Sequence, residues 1–157
     1  MERNNDLRGF EKVSKYYRQH KKAEIELPTR ADERSAGYDF YLPCDVTLRP
    51  KECQLVFLDV KAYMASDEVL TLHIRSSVGI KMGVVLANGT GIIDSSYYNN
   101  PDNDGNVGIA LLNTSNKTVT FKTGDRIAQG MFIKYLVASN EYILNAQRKG
   151  GFGSSGK

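Results

Sequence analysis

The chain has 157 residues, of which 41% are hydrophobic, so it can form one domain with a real core and is too short for two ordinary domains. Its formal charge of +3, from 21 basic and 18 acidic side chains, is too balanced to indicate a nucleic-acid partner. The chain has no long apolar run and its first residues are polar, which predicts a soluble, cytoplasmic protein without a membrane partner.

The thiol and imidazole side chains are scattered along the sequence. Cys44 and Cys53 do not form a Cys-x-x-Cys pair, and His20 and His73 are isolated. Thiolate and imidazole metal sites need ligands clustered at short spacing. The sequence therefore predicts two free thiols, an exposed histidine at position 20 and a strand histidine at position 73.

Aromatic and apolar residues recur at near-helical spacing close to the N-terminus, at Phe10, Val13, Tyr16 and Tyr17. This spacing predicts a short amphipathic helix over residues 7–21, with its basic side chains on the solvated face. A membrane-surface or nucleic-acid role for that face is the alternative. It is the weaker one, because the segment is short and Glu11 interrupts the positive charge.

From Ala23 onward the pattern changes to short apolar or alternating runs separated by Gly, Pro, Asn and Asp. The clearest runs are 23–27, 54–60, 69–74, 107–113, 118–121 and 126–137. Regular short strands with turn residues between them are typical of a β-sandwich or barrel. The sequence predicts one all-β domain, with residues 1–22 as an N-terminal extension and 146–157 as a mobile Gly/Ser-rich arm.

The segment 99–106 is rich in Asn and Asp. Its oxygen-bearing residues and Gly105 resemble the start of a calcium loop, but the closing position of such a loop is Leu111 instead of glutamate. Asn, Pro, Asp and Gly all favour turns, so the segment is predicted to be a polar turn between two strands.

The stretch 91–97 places Asp94 at the end of an apolar run, with Tyr97 three residues later. Hydrolysis of a phosphoanhydride needs a base for the attacking water and donors around the phosphates, and Arg75 with Ser76 upstream could supply such donors. Each residue alone has an ordinary structural interpretation. Asp94 could shape a turn, Tyr97 could be a core aromatic, and Asn88 could lie in a bare β-hairpin turn.

Five short motifs, which follow one another along the chain, favour a catalytic interpretation of these residues over a structural one. They are Ala-Gly-Tyr-Asp-Phe at 36–40, Arg-Ser-Ser-Val-Gly at 75–79, the stretch 91–97, Gly-Asp-Arg-Ile-Ala-Gln at 124–129, and the Gly-rich tail at 148–156. Over residues 36–156 the chain resembles the trimeric-type dUTP pyrophosphatase (dUTPase) family. The resemblance implies a jelly-roll-like β fold, a homotrimer with sites at subunit boundaries, and hydrolysis of dUTP to dUMP and pyrophosphate with Mg²⁺.

The resemblance also implies roles for residues near the reacting groups. Asp94 would be the base, Gln129 would contact the α-phosphate and orient the water, and Asp39 would support the metal through water. Tyr97 would lie under the deoxyribose and exclude a 2′-hydroxyl. The uracil edge would be read by Asn88 and by the backbone around Gly91 and Ile93.

Phosphate contacts are implied for two further groups, Arg75, Ser76 and Ser77 in the second motif and Arg148, Gly153, Ser154 and Ser155 in the tail, while Phe152 would stack on the base. Ser77 also suits a purely structural turn, and Asp125 and Arg126 are expected to pair with each other. The chain departs from the family at Ser96, at Tyr98 with Asn99, and in the spacing after Arg148, so Phe152 is the stronger assignment in the tail.

Two other function classes remain to be weighed. A dCTP deaminase of the same fold needs a glutamate three residues before a strand-ending asparagine, but that residue here, ahead of Asn113, is Ala110, which cannot transfer a proton. A non-catalytic nucleotide sensor or interaction module would not need to keep Asp94, Arg75 and Gln129. A regulatory protein partner is left open by the sequence.

Overall fold

The computed structural model describes residues 8–144, which form eleven β-strands and two short helical turns. In chain order the strands are β1 (Gly9–Lys12), β2 (Tyr38–Tyr41), β3 (Val46–Leu48), β4 (Cys53–Phe57), β5 (Val60–Tyr63), β6 (Glu68–Ile74), β7 (Val84–Leu86), β8 (Gly91–Asp94), β9 (Gly108–Asn113), β10 (Val119–Phe121) and β11 (Arg126–Lys134). A π-helical turn spans Ser77–Met82 and a 3₁₀ turn spans Ser95–Tyr97. Within residues 8–144 no helix has the length and apolar character that a membrane crossing requires.

The strands form one four-stranded sheet in the order β2-β11-β6-β8 and one three-stranded sheet in the order β4-β9-β7. Two-stranded sheets, β1 with β5 and β3 with β10, complete the structure. All these pairs are antiparallel. The all-β, jelly-roll-like class predicted from the sequence is confirmed, and so are the two free cysteines.

Alternation along the strands separates a core face from an outer face in the four-stranded sheet. In β8, Gly91 and Ile93 are buried while Ile92 and Asp94 are exposed. Leu70 and Leu72 of β6 lie on the buried face and belong to the main hydrophobic core. Side chains directly opposite each other on paired strands share a face. The outer face therefore carries Asp39, Gln129, His73, Ile92 and Asp94.

The prediction of an N-terminal helix over residues 7–21 is wrong for the described part of that range, residues 8–21. Residues 9–12 form β1, which pairs with β5, and the chain then follows turns. The buried carboxylate of Asp59 accepts the backbone N–H groups of Gln19 and His20 at 2.9 and 2.8 Å. A helix of this length is only marginal by itself, so these long-range bonds decide the conformation.

Two further expectations about local structure are also wrong. The turn at 87–90 does not close a β-hairpin, because β7 pairs with β9 and β8 pairs with β6, so this turn carries the chain from one sheet to the other. His20 is half-buried instead of exposed, with its Nε2 atom 3.0 Å from the carbonyl oxygen of Phe57. His73 does lie on a strand, as predicted.

An ion pair between the exposed Arg8 and the buried Glu68 joins the start of the described chain to β6. The Arg8 guanidinium donates to both carboxylate oxygens of Glu68, with Nε distances of 2.9 and 3.0 Å. These bonds hold the pKa of the Glu68 carboxyl below its usual range, although burial acts in the opposite direction. Because the folded-state pKa is the lower one, the stability from this pair is complete above the unfolded-state pKa of about 4.3 and is lost as pH falls through the folded-state value.

We expect Glu68→Gln to lower the melting temperature at pH 7 by roughly 2–4 °C, because the charge-assisted bonds to Arg8 are lost. Thermal unfolding of both proteins, followed by circular dichroism from pH 7 downward, measures the effect. The difference between them should shrink below about pH 4.3, where Glu68 of the unfolded wild-type chain becomes protonated. A difference that stays constant with pH would show that the charge of Glu68 does not cause it.

Candidate active site

Asp39 lies between two arginine side chains on the outer face of the four-stranded sheet. Its Oδ1 atom is 3.1 Å from Arg75 Nε, and its Oδ2 atom accepts Arg126 Nη1 at 3.2 Å. Arg75 also donates from Nη1 to the carbonyl oxygen of Arg126 at 3.3 Å. The carboxylate thus holds two like-charged guanidinium groups side by side, and Arg126 remains about half exposed.

The expected pairing of Asp125 with Arg126 is wrong. The Asp125 carboxylate accepts the backbone N–H of Lys122 at 2.8 Å, across the turn that precedes β11. Arg126 is the first residue of β11 and lies opposite Tyr41 of β2, which brings its guanidinium to Asp39. Sequence reasoning missed Arg126 as a member of the site, although it belongs to the same motif as Gln129.

Gln129 completes this end of the sheet. It lies opposite Asp39 on one side and opposite His73 on the other, so the three side chains form a row across β2, β11 and β6. Gly37 leaves room for the amide, because a Cβ atom there would lie 2.8 Å from Gln129 Oε1. Period-two alternation, which places Gly37 on the same face as Asp39, is the sequence signal that could have indicated this contact.

Ser76 and Ser77 are both exposed at the start of the helical turn that follows Arg75. The turn is closed by the Arg75 carbonyl oxygen, which accepts the N–H groups of Val78 and Gly79 at 3.0 Å each. Ser77 therefore lies in a hydrogen-bonded turn, which agrees with the structural interpretation of this residue. Both residues follow Arg75 directly in the chain and are exposed, so their hydroxyl groups could reach a phosphate near Arg75.

Asp94 is the last residue of β8 and is exposed, immediately before the 3₁₀ turn that ends at Tyr97. Tyr97 is only 3% exposed and packs in the core. Its hydroxyl donates to the Asn106 carbonyl at 2.7 Å and accepts from Asn103 Nδ2 at 2.6 Å. Tyr97 is thus a core aromatic, and its contact with a sugar stays a prediction.

The residues predicted to read a base differ in how they are placed. Asn88 is exposed in the turn between the sheets, next to Gly89, whose φ is +75°. Gly91 and Ile93 face the core, and a Cβ atom on Gly91 would lie 2.9 Å from Leu72 Cβ. Close packing against β6 therefore requires glycine at position 91, and only the backbone of these two residues is available for a ligand.

Within one chain the candidate residues form two separate half-sites. The arginine half-site consists of Asp39, Arg75, Arg126 and Gln129, and the aspartate half-site consists of Asp94 and Tyr97. Gln129 pairs with His73 of β6, whereas Asp94 pairs with Val69 on the other side of that strand. At about 3.3 Å per residue, the four-residue offset separates them by roughly 13 Å along β6, too far for one chain to place both around one phosphorus atom.

Comparison with known proteins agrees with these motifs. The dUTPase family model matches residues 23–156. The chain is 44% identical over 151 residues to the deoxyuridine 5′-triphosphate nucleotidohydrolase of Lactococcus lactis subsp. lactis (strain IL1403), covering 96% of this chain and 98% of that protein. The chain belongs to the dUTPase family. The family resemblance inferred from the sequence is confirmed.

Solved structures of dUTPases share the fold. The crystal structure of dUTPase from Streptococcus mutans has a TM-score of 0.73 and 38% identity, covering 83% of this chain and 98% of that one. The dUTPase from phage phi11 of S. aureus has a TM-score of 0.71 at 21% identity, covering 89% of this chain and 97% of that one. A second structure from that phage describes a structural Mg(II) ion in that protein.

Some dUTPase-type assignments fall outside the part of the chain that the structure describes. Arg148, Phe152, Gly153, Ser154 and Ser155 all lie beyond residue 144. Among residues 8–144, no group of three or more His, Cys, Asp or Glu side chains is arranged to hold a metal ion. Asp39, the residue expected to support a metal through water, has both carboxylate oxygens in contact with arginines.

We expect Gly37→Ala to displace the Gln129 side chain while the fold survives, because the atom it meets is the far end of a flexible side chain. The side-chain amide resonances of Gln129 in an NMR spectrum should shift, with little change in melting temperature. Ala36→Ser, at the exposed neighbouring position, is the matched control. Unchanged Gln129 resonances in Gly37→Ala would show that Gly37 does not shape this side of the site.

Proposed function

We propose that the protein hydrolyses dUTP to dUMP and pyrophosphate. The observation that carries this proposal is the arginine half-site, in which one carboxylate orients two guanidinium groups beside the amide of Gln129. Planar, bidentate guanidinium donors suit phosphate oxygens, and their charge exceeds that of Asp39 by one unit. Membership of the dUTPase family and 44% identity to a named nucleotidohydrolase support the same reaction.

In the proposed reaction a water molecule attacks the α-phosphorus. The Asp94 carboxylate takes a proton from this water as its oxygen bonds to phosphorus, and the bond from the α-phosphorus to the bridging oxygen breaks. Pyrophosphate leaves with that oxygen and its bonding electrons, and dUMP remains. Arg75 and Ser76 hold phosphate oxygens, and the Gln129 amide orients the water and the α-phosphate. Tyr97 excludes a 2′-hydroxyl by limiting the space beneath the sugar.

The proposal includes Mg²⁺ as a cofactor. Mg²⁺ prefers oxygen ligands and keeps several of its waters, and residues 8–144 offer it no cluster of acidic side chains. The residues present therefore fit an ion carried by the substrate's phosphates, where it would neutralise their charge. Asp39, with its oxygens already accepting from Arg75 and Arg126, would contact such an ion through water.

A homotrimer with shared sites would bring the two half-sites together. Each chain carries them about 13 Å apart along β6, so a neighbouring copy must supply the complementary half. The outer face between them exposes Ile92 and Ile133, which are 57% and 42% accessible. After β11 the chain also exposes Leu136 and Tyr142. Exposed apolar surface of this kind favours association, and identical subunits close into rings.

We expect two inactive variants to restore activity when they are combined. Asp94→Asn keeps the arginine half-site, and Arg75→Ala keeps the aspartate half-site. The two proteins are unfolded and refolded together in equal amounts. If they assemble at random, about a quarter of the sites should contain two intact halves. Pyrophosphate release from dUTP measures this recovery, and each variant refolded alone is the control. Mixed oligomers without activity, or a fully active monomer by light scattering, would contradict the shared site.

Asp94→Asn tests the base directly, because the amide keeps the shape of the carboxylate and cannot take the proton. Turnover should fall by about 10²–10⁴-fold while the affinity for a non-hydrolysable dUTP analogue stays near that of the wild type. If Asp94 only shaped the turn before Tyr97, analogue binding would weaken and turnover at saturating substrate would stay near normal. Analogue affinity and saturated turnover on this one variant decide between the two.

The structure gives no support to a deaminase of the same fold. Asn113 is fully buried, and its Nδ2 atom donates to the carbonyl oxygens of Leu48, Arg49 and Lys117. It therefore holds the end of β9 against its neighbours. Ala110 of the same strand, opposite Leu55, offers no acid or base. The contacts proposed for Phe152 and the rest of the C-terminal arm remain predictions.

A further inference from the structure

A buried lysine lies at the centre of a polar cluster that the proposed reaction does not use. Lys61, on β5, is only 8% exposed. Its Nζ atom donates to Asn99 Oδ1 at 2.7 Å and to Asp104 Oδ1 at 2.9 Å, and it lies 4.9 Å from the centre of the Tyr98 ring. A buried ammonium is tolerated only when it is paired and hydrogen-bonded. The ammonium therefore binds both ends of the polar loop, which we define as residues 99–106.

The N-terminal segment contributes to the same cluster. Glu11 of β1 lies directly opposite Lys61, with its Oε2 atom 3.9 Å from the ammonium, and it accepts the Tyr98 hydroxyl at 2.6 Å. The backbone N–H of Ser14 donates to Asp104 Oδ2 at 2.8 Å. The turn after β1 is thus bonded to the polar loop through its backbone, and β1 contacts the neighbouring Lys61 and Tyr98 through Glu11.

The polar loop in turn holds Tyr97. Asn103 Nδ2 donates to the Tyr97 hydroxyl, which itself donates to the Asn106 carbonyl, at 2.6 and 2.7 Å. Gly105 has a φ of +79°, and a Cβ atom there would lie 2.6 Å from the Tyr97 carbonyl oxygen. Both the phenol and the backbone of Tyr97 are therefore fixed by the loop.

Backbone conformation provides a second, independent observation. Asn99 and Asp104, the two residues whose side chains bind the ammonium, have φ values of 56° and 61°. Among residues other than glycine, asparagine and aspartate adopt the left-handed conformation most readily, especially where their side chains are hydrogen-bonded. Loss of the ammonium would remove the side-chain bond of Asn99 and one of the two carboxylate bonds of Asp104, so the loop would hold Tyr97 less firmly.

We propose that Lys61 is a positioning residue whose ammonium fixes the polar loop against Tyr97 and thereby sets the discrimination between deoxyribose and ribose substrates. This inference rests on the proposed function. It also assigns a role to the N-terminal segment, which supports the same loop through Glu11 and Ser14. Tyr97 is only 3% exposed, so a small displacement of its ring changes the space that a sugar would meet.

The test compares kcat/KM for dUTP and UTP in four proteins: the wild type, Lys61→Met, Asn103→Ala and Val119→Ala. Lys61→Met keeps a long apolar side chain without the charge, and Asn103→Ala removes one donor to Tyr97. Val119, in β10, lies opposite Leu48 of β3 and packs in the core, so truncating it lowers stability without removing a hydrogen bond of the polar loop. The dUTP/UTP ratio should fall by roughly tenfold in the first two variants, the equivalent of one or two hydrogen bonds, and stay unchanged in Val119→Ala.

Each result of this comparison has a definite meaning. A wild-type protein that does not hydrolyse dUTP, or does not prefer it to UTP, overturns the proposed function. A wild-type preference that is kept in folded Lys61→Met and in Asn103→Ala overturns the positioning role of Lys61. If Lys61→Met does not fold, Asn99→Ala, which removes one of the two hydrogen bonds of the ammonium, takes its place in the comparison. Tyr97→Phe, which loses both hydroxyl bonds, should lower the ratio at least as much as Asn103→Ala does, and adding Asn103→Ala to it should lower the ratio no further.

Discussion

Strand β6 is hydrogen-bonded on both sides, and its register determines where the candidate residues lie. On one side it places Gln129 opposite His73, and on the other it places Asp94 opposite Val69. A slip of one residue in either pairing would turn every side chain of the partner strand to the other face. Ile93 of β8 and Ala128 of β11 are buried in the core and prevent such a slip, because it would expose them. Packing of the core therefore fixes the positions of groups on the opposite face.

Electrostatics at the arginine half-site follow from the placement of Asp39. Two guanidinium groups at this distance would repel each other, but a carboxylate between them compensates part of their charge and orients both. The remaining positive charge suits an anion with several oxygens. The same arrangement explains why Asp39 would be a weak ligand for a metal, since its lone pairs already accept from arginines.

The sequence predicted the all-β class and the strand histidine, because these depend on period-two alternation, and its resemblance to the dUTPase family identified the motif residues. The sequence did not predict β1, because that strand forms by pairing with β5, about 50 positions further along the chain. The contact of Arg126 with Asp39 and the division into half-sites had the same cause. Each depends on which strands are neighbours, and local spacing carries no information about that order.

The polar loop shows how a polar segment can be rigid without a hydrophobic core of its own. Its backbone groups bond within the loop, as in the contact of the Asp104 N–H with the Asn100 carbonyl at 2.7 Å. Its side chains bond to Lys61, to Tyr97 and, through Asn106 Nδ2, to the buried Asp59 at 2.8 Å. Asp59 also binds the N-terminal turn, so the two segments share one buried carboxylate. Because partly satisfied buried networks are unfavourable, loss of one member weakens the bonds of the others, and the N-terminal segment and Tyr97 should respond together to a change in either.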